Sequence, residues 1–251
     1  MFSVIIPTLN EASCIAQTLE AIPSDVDPVE LIVVDGGSTD RTRELAASYA
    51  RVIQSERGRA VQMNAGAAEA SGSVLVFLHA DTRLPEGAFS IIRSVLDEGA
   101  VESGAFRLAF DSWTPLLRFY SFCTRFRAPQ ICFGDRVLFV RLGVFEEVGG
   151  FPGIPVFEDL EMVRLLYRRG GFRFLTQHVN TAARRFLQRG PFRQQLLNTY
   201  MWCQFMLGAD PRKIAHLYEY DAPHERLKRI DPIAVPRQPA PARTGDGADV
   251  G

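Results

Sequence analysis

The first 80 residues alternate short apolar runs, partly β-branched, with amphipathic stretches. SVIIP (3–7), ELIVV (30–34), RVIQ (51–54) and VLVFL (74–78) read as buried parallel strands, because a strand covered on both faces shows a continuous apolar run. Between them, residues 10–22, 40–50 and 59–70 carry Ala, Leu, Glu and Arg at helical spacing. The resulting βαβαβαβ series predicts a doubly wound, mostly parallel α/β sheet. Thr8 with Glu11 has capping-box spacing for the first helix, and Ser38, Thr39 and Asp40 supply a start for the second.

Beyond a helix near 86–97, VESGAFRLAF (101–110) sets Phe106, Leu108 and Phe110 on one face and predicts a less buried strand. PLLRFYSFCTRFR (115–127) reads as an aromatic and basic helix, and 136–149 as a strand then a helix. Residues 158–169 form a helix begun by acidic residues, 172–186 one or two strands, and 191–208 and 211–219 two helices. From Asp231 the tail is rich in Pro, Gly and Ala with little to bury, so disorder is expected. The chain thus divides into a first half (1–110), a second half (111–230) and a tail (231–251).

At 47% hydrophobic and 23% charged residues, the composition excludes a wholly disordered, collagenous or membrane-embedded chain. Lys plus Arg total 28 against 29 Asp plus Glu, which gives no global field to attract nucleic acid. Cys14, Cys123, Cys132 and Cys203 lack CxxC or zinc-like spacing, so reduced, buried thiols are expected. MFSVIIPTLNE lacks a basic flank, and no segment approaches the ~20 apolar residues of a membrane span, so a cytoplasmic location is expected.

Two carboxylates stand where such a sheet binds ligands. Asp35 follows LIVV and Asp81 stands just beyond VLVFL, both at carboxyl ends of parallel strands. Either alone reads as readily as a turn or cap residue; the pair on one rim favours a site. TLNE after the first strand is not GxGxxG, which disfavours a nicotinamide enzyme. Gly37 stands where an aspartyl-phosphate phosphatase needs its second aspartate, and no Walker P-loop occurs. Arg57 and Arg59 precede a helix start and are candidates to clamp a diphosphate, against the reading of a solvated turn. Glu158 and Asp159 open a helix, where acidic residues are also ordinary dipole complements; the preceding GGFPGIPVF loop can approach a ligand closely and favours function.

VIIPTLNE (4–11), IVVDGGSTDRT (32–42), GRAVQMNAGA (58–67), LHADT (78–82) and VFEDLEM (156–162), in that order, resemble the motifs of family 2 glycosyltransferases with the GT-A fold. The likeness runs from residue 3 to about 186. It implies a nucleoside-diphosphate-sugar donor held by the first half, at Pro7, Thr8, Asn10, Glu11, Asp35, Gly36, Arg57, Arg59, Asn64, His79 and Ala80. By the same resemblance Asp35 contacts the base or ribose, Asp159 is the catalytic base, and Glu158 and Glu161 support it. A divalent cation, Mn²⁺ or Mg²⁺, would sit on Asp81, with His178 where some GT-A enzymes place a histidine ligand. A lone histidine near a strand end is more often structural. His79 replaces the first aspartate of the family's Asp-x-Asp and reads as a filler of the strand end more readily than as a ligand. Asp135 with Arg136 falls where the family lines its acceptor side.

The implied reaction is an inverting transfer of one sugar to a small-molecule or lipid hydroxyl, since RRF at 184–186 lacks the QxxRW of processive synthases. GRAVQMNAGA, LHADT and TAARRF together resemble small soluble bacterial members associated with arsenosugar-type biosynthesis. One rival is a nucleotidyltransferase, which would carry a glycine- and arginine-rich loop where TLNE stands. Another is a scaffold that lost catalysis, against which Asp35 and Asp159 argue. Trp113, Phe119, Tyr120, Phe122, Phe126 and Trp202 gather beside Arg125, Arg127, Arg184, Arg185, Arg189 and Arg193. They could line an acceptor groove, pack two helices, or rest peripherally on the anionic inner face of a membrane; core packing accounts for most of the aromatics.

Overall fold

FSVIIPT forms β1 (Phe2–Thr8), buried along nearly its whole length as a strand covered on both faces must be. The computed structural model describes residues 1–23, 28–111, 114, 121–122, 136–182 and 190–218. Three further strands, β2 (Val29–Asp35), β3 (Arg51–Gln54) and β4 (Val74–Phe77), follow the expected apolar runs. The helices between them are α1 (Ile15–Glu20), α2 (Thr42–Ala46) and α3 (Arg59–Ala68). Next come β5 (Thr82–Arg83), α4 (Ala88–Asp97), β6 (Ser103–Phe110), β7 (Leu138–Arg141) and α5 (Leu142–Glu147). The chain continues through α6 (Glu158–Arg169), β8 (Phe172–Thr181), α7 (Pro191–Met206) and α8 (Pro211–Tyr218).

One eight-stranded sheet runs in the order β3-β2-β1-β4-β7-β6-β8-β5, so it passes through both expected halves. β3, β2, β1 and β4 are parallel, as are β6 and β8. β7 is antiparallel to β4 and β6, and β5 closes the edge antiparallel to β8. Helices α1, α2 and α4 cover one face, around Ile15, Leu19, Phe89 and Ile92. The other face packs α3, α5 and α6 through Met63, Phe145, Met162 and Leu166. Gly66 lets α3 lie close to the sheet: a Cβ there would stand 2.4 Å from Ile5 Cγ2.

Four expectations are corrected. The Thr8/Glu11 capping box does not form: Thr8 ends β1, and α1 begins only at Ile15, behind Cys14 with no side-chain cap. The second helix starts at Thr42 behind Arg41, with Asp40 accepting the Thr42 N–H at 3.0 Å. β6 is buried from Ser103 to Phe106, because it lies inside the sheet between β7 and β8. Cys14 is half-buried and Cys203 exposed, so neither is the buried thiol expected; neither forms a disulfide. Apart from Ser121 and Phe122, which are helical, the expected helix at 115–127 lies outside the described residues, as do Asp135, the 183–189 arginines and the tail. Among the described residues no helix is long and apolar enough to cross a membrane.

Candidate active site

The parallel strands end in two loops that are laced together. Asn10, held at φ 55°, donates its N–H to Ser38 Oγ at 2.9 Å, and its Oδ1 accepts the Thr39 N–H at 2.9 Å. Glu11 N–H reaches Thr42 Oγ1 at 2.8 Å, and Ala12 N–H reaches Asp40 Oδ2 at 3.1 Å. Asp35 is fully buried, with Oδ1 accepting the N–H groups of Gly37 and Ser38 at 3.1 and 2.9 Å. Its Oδ2 faces the Thr8 hydroxyl at 3.5 Å, and Arg43 Nε lies 3.9 Å from Oδ1. Pro7, Thr8, Asn10, Glu11, Asp35 and Gly36 are therefore brought together on one edge.

Gln62, which sequence reasoning passed over, locks this edge from α3. Its Nε2 donates to the carbonyls of Thr8 and Val34, each at 2.8 Å, and a Cβ on Gly36 would meet its side chain at 3.0 Å. Its only signal was a polar residue three positions after Arg59 in a helix otherwise turned towards the sheet.

LHADT leaves β4 and turns into β5. The Ala80 carbonyl accepts the Thr18 hydroxyl of α1 at 2.6 Å, and Thr82 N–H donates to His79 O at 3.1 Å. Asp81 is half-buried and opens on a cavity of about 640 Å³, with Cys14, Arg83, Asp111, Asn180 and Thr181 among its walls. His178 is not brought to it. The Asp81 carbonyl accepts the Ala182 N–H, whereas His178 pairs with Arg107 four residues earlier on β8, roughly 13 Å at the strand rise. Among the described residues no three His, Cys, Asp or Glu converge as a metal cluster. The oxygen donors beside Asp81 still suit a hard cation in kind, because Mg²⁺ needs one or two carboxylates and completes its shell with water and substrate phosphate.

The acidic helix start meets the arginine at the start of α3. Arg59 Nε lies 3.1 Å from Glu158 Oε1 and its Nη1 3.6 Å from Asp159 Oδ2. Glu158 is buried, Asp159 half-buried, and the Arg59 side chain 42% exposed. The Arg59 approach is not a well-formed hydrogen bond, so Glu158 Oε1 is buried without one. Phe157, at φ 64°, precedes the helix in the left-handed region, and its ring stacks on Phe205 of α7 at 4.7 Å. Such a backbone costs of order 1–3 kcal/mol and persists where surrounding packing fixes it. Asn64 braces the loop before Phe157: its Nδ2 donates to Phe151 O at 2.9 Å and its Oδ1 accepts Phe151 N–H at 2.8 Å. Both amide atoms are thus engaged with backbone. Arg57 is exposed in the turn before α3.

Arg136 stands just before β7. Because Leu138 pairs with Phe77, the last residue of β4, Arg136 emerges at the same rim as His79 and Asp81. It is only 5% exposed, its guanidinium carbon lies 5.7 Å from the Phe174 ring centroid, and among the described residues neither terminal nitrogen has a hydrogen-bond partner.

Residues 3–151 match the family model described as glycosyl transferase family 2. Glycosyltransferase AglE of Haloferax volcanii is 32% identical over 173 residues, covering 60% of this chain and 55% of that protein. A PGL/p-HBAD biosynthesis glycosyltransferase of Mycobacterium tuberculosis is 41% identical over 95 residues, 34% of this chain and 37% of that protein. The matches thus span about half the length of these relatives or less. Among solved structures, the mannosyltransferase PcManGT from Pyrobaculum calidifontis, in complex with GDP-Man and Mn²⁺, aligns with a TM-score of 0.57 at 20% identity. That alignment covers 87% of this chain and 69% of the other. S. aureus TarS 1–349 with UDP-GlcNAc aligns at 0.59 and 18% identity, over 72% of this chain and 58% of that one. These likenesses show the GT-A fold, and with a family model matched across more than half of its length the chain belongs to glycosyl transferase family 2.

Proposed function

We propose that the protein is an inverting glycosyltransferase that moves one sugar from a nucleoside-diphosphate sugar to a hydroxyl acceptor. The observation that carries this reading is the meeting of Arg59, at the start of α3, with Glu158 and Asp159, at the start of α6. A diphosphate reaching the exposed side of Arg59 competes with those carboxylates for its charge, so donor binding loosens Asp159 for its own work. The Asp159 carboxylate then takes the proton of the acceptor hydroxyl. The oxygen attacks the anomeric carbon, the bond from that carbon to the diphosphate oxygen breaks, and the diphosphate departs with the bonding pair. Glu158, buried beside it, holds Arg59 and orients the helix start.

The laced loops around Asn10, Asp35 and Ser38 shape the base and ribose pocket. Asp81 would hold a divalent cation, whose chemistry is to offset charge on the leaving diphosphate. Donor complexes of the structural neighbours with GDP-Man and Mn²⁺, or with UDP-GlcNAc, support this reading. The two free nitrogens of Arg136 suit a bidentate anionic group on a substrate.

A thermal-shift screen of UDP, GDP and their sugar conjugates, with and without Mn²⁺, tests the donor assignment. One nucleotide should raise the unfolding temperature more with metal than without. Asp81→Ala should abolish that gain and His178→Ala should leave it. A metal gain that survives Asp81→Ala, or no nucleotide response at all, overturns the assignment.

A further inference from the structure

Helix α7 carries on its outer side a row of large apolar residues that nothing among the described residues covers. Phe192 is 76% exposed, Leu196 73% and Leu207, at the helix end, 85%; Tyr200 and Cys203 are exposed between them. At about 100° per residue these five positions fall within about 80° of one another. They lie opposite Gln194 and Met201, which are buried, and Phe205, which stacks on Phe157. Single exposed apolar residues are ordinary, but a continuous stripe along a 16-residue helix marks a surface that meets an apolar partner.

Charge selects the partner. From Gly190 to Tyr218 the only acidic residue is Asp210, whose carboxylate is taken up by the Arg212 N–H at 2.9 Å. Arg193 flanks the stripe, and Arg212 and Lys213 are exposed on α8, which packs against α7. A two-fold contact between copies would set these cations against their own kind. We infer that the outer face of α7 lies on an anionic lipid bilayer, with Phe192, Leu196, Tyr200 and Leu207 among the acyl chains and Arg193, Arg212 and Lys213 at the headgroups.

The same helix is tied to the chemistry. Phe205 stacks on Phe157, the residue before α6, and the Arg164 guanidinium of α6 lies over the Phe205 ring at 5.6 Å. The membrane-facing helix therefore supports the start of the helix that presents Asp159. Resting on the transfer reading above, this commits the acceptor to a lipid hydroxyl that reaches Asp159 from the bilayer surface.

The test is flotation of the full chain with vesicles of equal phosphatidylglycerol and phosphatidylcholine, and with phosphatidylcholine alone. The protein should partition onto the anionic vesicles. A triple Phe192→Ser, Leu196→Ser, Leu207→Ser variant should lose at least ~10-fold in partition coefficient, and Arg212→Glu with Lys213→Glu should also weaken it. An unchanged unfolding temperature and nucleotide-dependent shift in the variants keep failure of this surface distinct from failure of the site. No binding to anionic vesicles, or equal binding by the triple variant, overturns the proposal. So does a dimer, measured by light scattering without lipid, that the triple variant dissolves, because the stripe would then belong to a second copy.

Discussion

In the loops after β1 and β2, buried and exposed polar groups alike are bonded to one another: Asn10 to Ser38 and Thr39, Asp40 to Ala12 and Thr42, Asp35 to Gly37 and Ser38. At the start of α6 the pattern reverses. Among the described residues, Glu158 Oε1 and both terminal nitrogens of Arg136 are buried without a hydrogen bond, and Phe157 sits in a strained backbone conformation. A satisfied network rigidifies a pocket before its ligand arrives, whereas a buried polar group without a hydrogen-bond partner costs about 1–3 kcal/mol that a bound ligand or ordered water can recover. On the proposed reading, the first region selects a donor and the second acts once substrates are present.

Substitutions should divide along the same line. The largest effect belongs to the reacting end: Asp159→Asn should lower turnover by ~10² to 10⁴ while donor affinity, read by calorimetry, stays nearly intact. Glu158→Gln should cost less. If Asp159→Asn keeps near-normal turnover and Glu158→Gln or Glu161→Gln does not, the base lies one or two positions away. Arg136→Met sharpens the contrast further, with a fall of about 10²-fold in kcat/KM and an unfolding temperature that holds or rises, because an unpartnered buried guanidinium is removed. A marked loss of stability instead would make Arg136 structural.

On the donor side stability should move first. Gln62→Leu removes two hydrogen bonds that tie α3 to the ends of β1 and β2, so urea unfolding should show a loss of about 1–3 kcal/mol together with weaker nucleotide binding. The smallest effect concerns acid. Burial acts to raise the Asp40 carboxyl, but hydrogen bonds from the Thr42 hydroxyl and N–H and the Ala12 N–H outweigh it and hold the group below its ordinary value. A carboxylate depressed in the folded state contributes stability above its unfolded value of about 3.9, and loses it as pH falls through the lower folded value. Asp40→Asn should therefore narrow the gap between urea midpoints at neutral pH and at about pH 3; an unchanged gap would remove Asp40 from the network.

The parallel core was legible because β-branched runs such as VIIP and LIVV have no other comfortable place than a strand covered on both faces. The start of α6 was legible too, since three acidic residues in one turn follow a glycine- and proline-rich loop. What stayed hidden depends on contacts distant in sequence. Thr8 and Glu11 have the right spacing for a local cap, yet Thr8 turns to Val34 and Asp35, while the Glu11 N–H goes to Thr42. His178 is kept from Asp81 by the strand itself: the Asp81 carbonyl meets Ala182 N–H, four residues further along than His178. Asn64 reads as a donor-lining residue, but both of its amide atoms bond the backbone of Phe151, 87 residues away, while Gln62, unremarked in the same motif, locks two strand ends.

The most direct test of the whole account is the anomeric configuration of the first product formed, followed by proton NMR from a donor of known anomer before any equilibration. With Asp159 acting as a base on the acceptor and no covalent sugar intermediate, an α-linked donor should give a β-linked product. Retention of the donor's configuration in the initial product would contradict it, because a single back-side displacement by a hydroxyl that Asp159 deprotonates must invert the anomeric carbon.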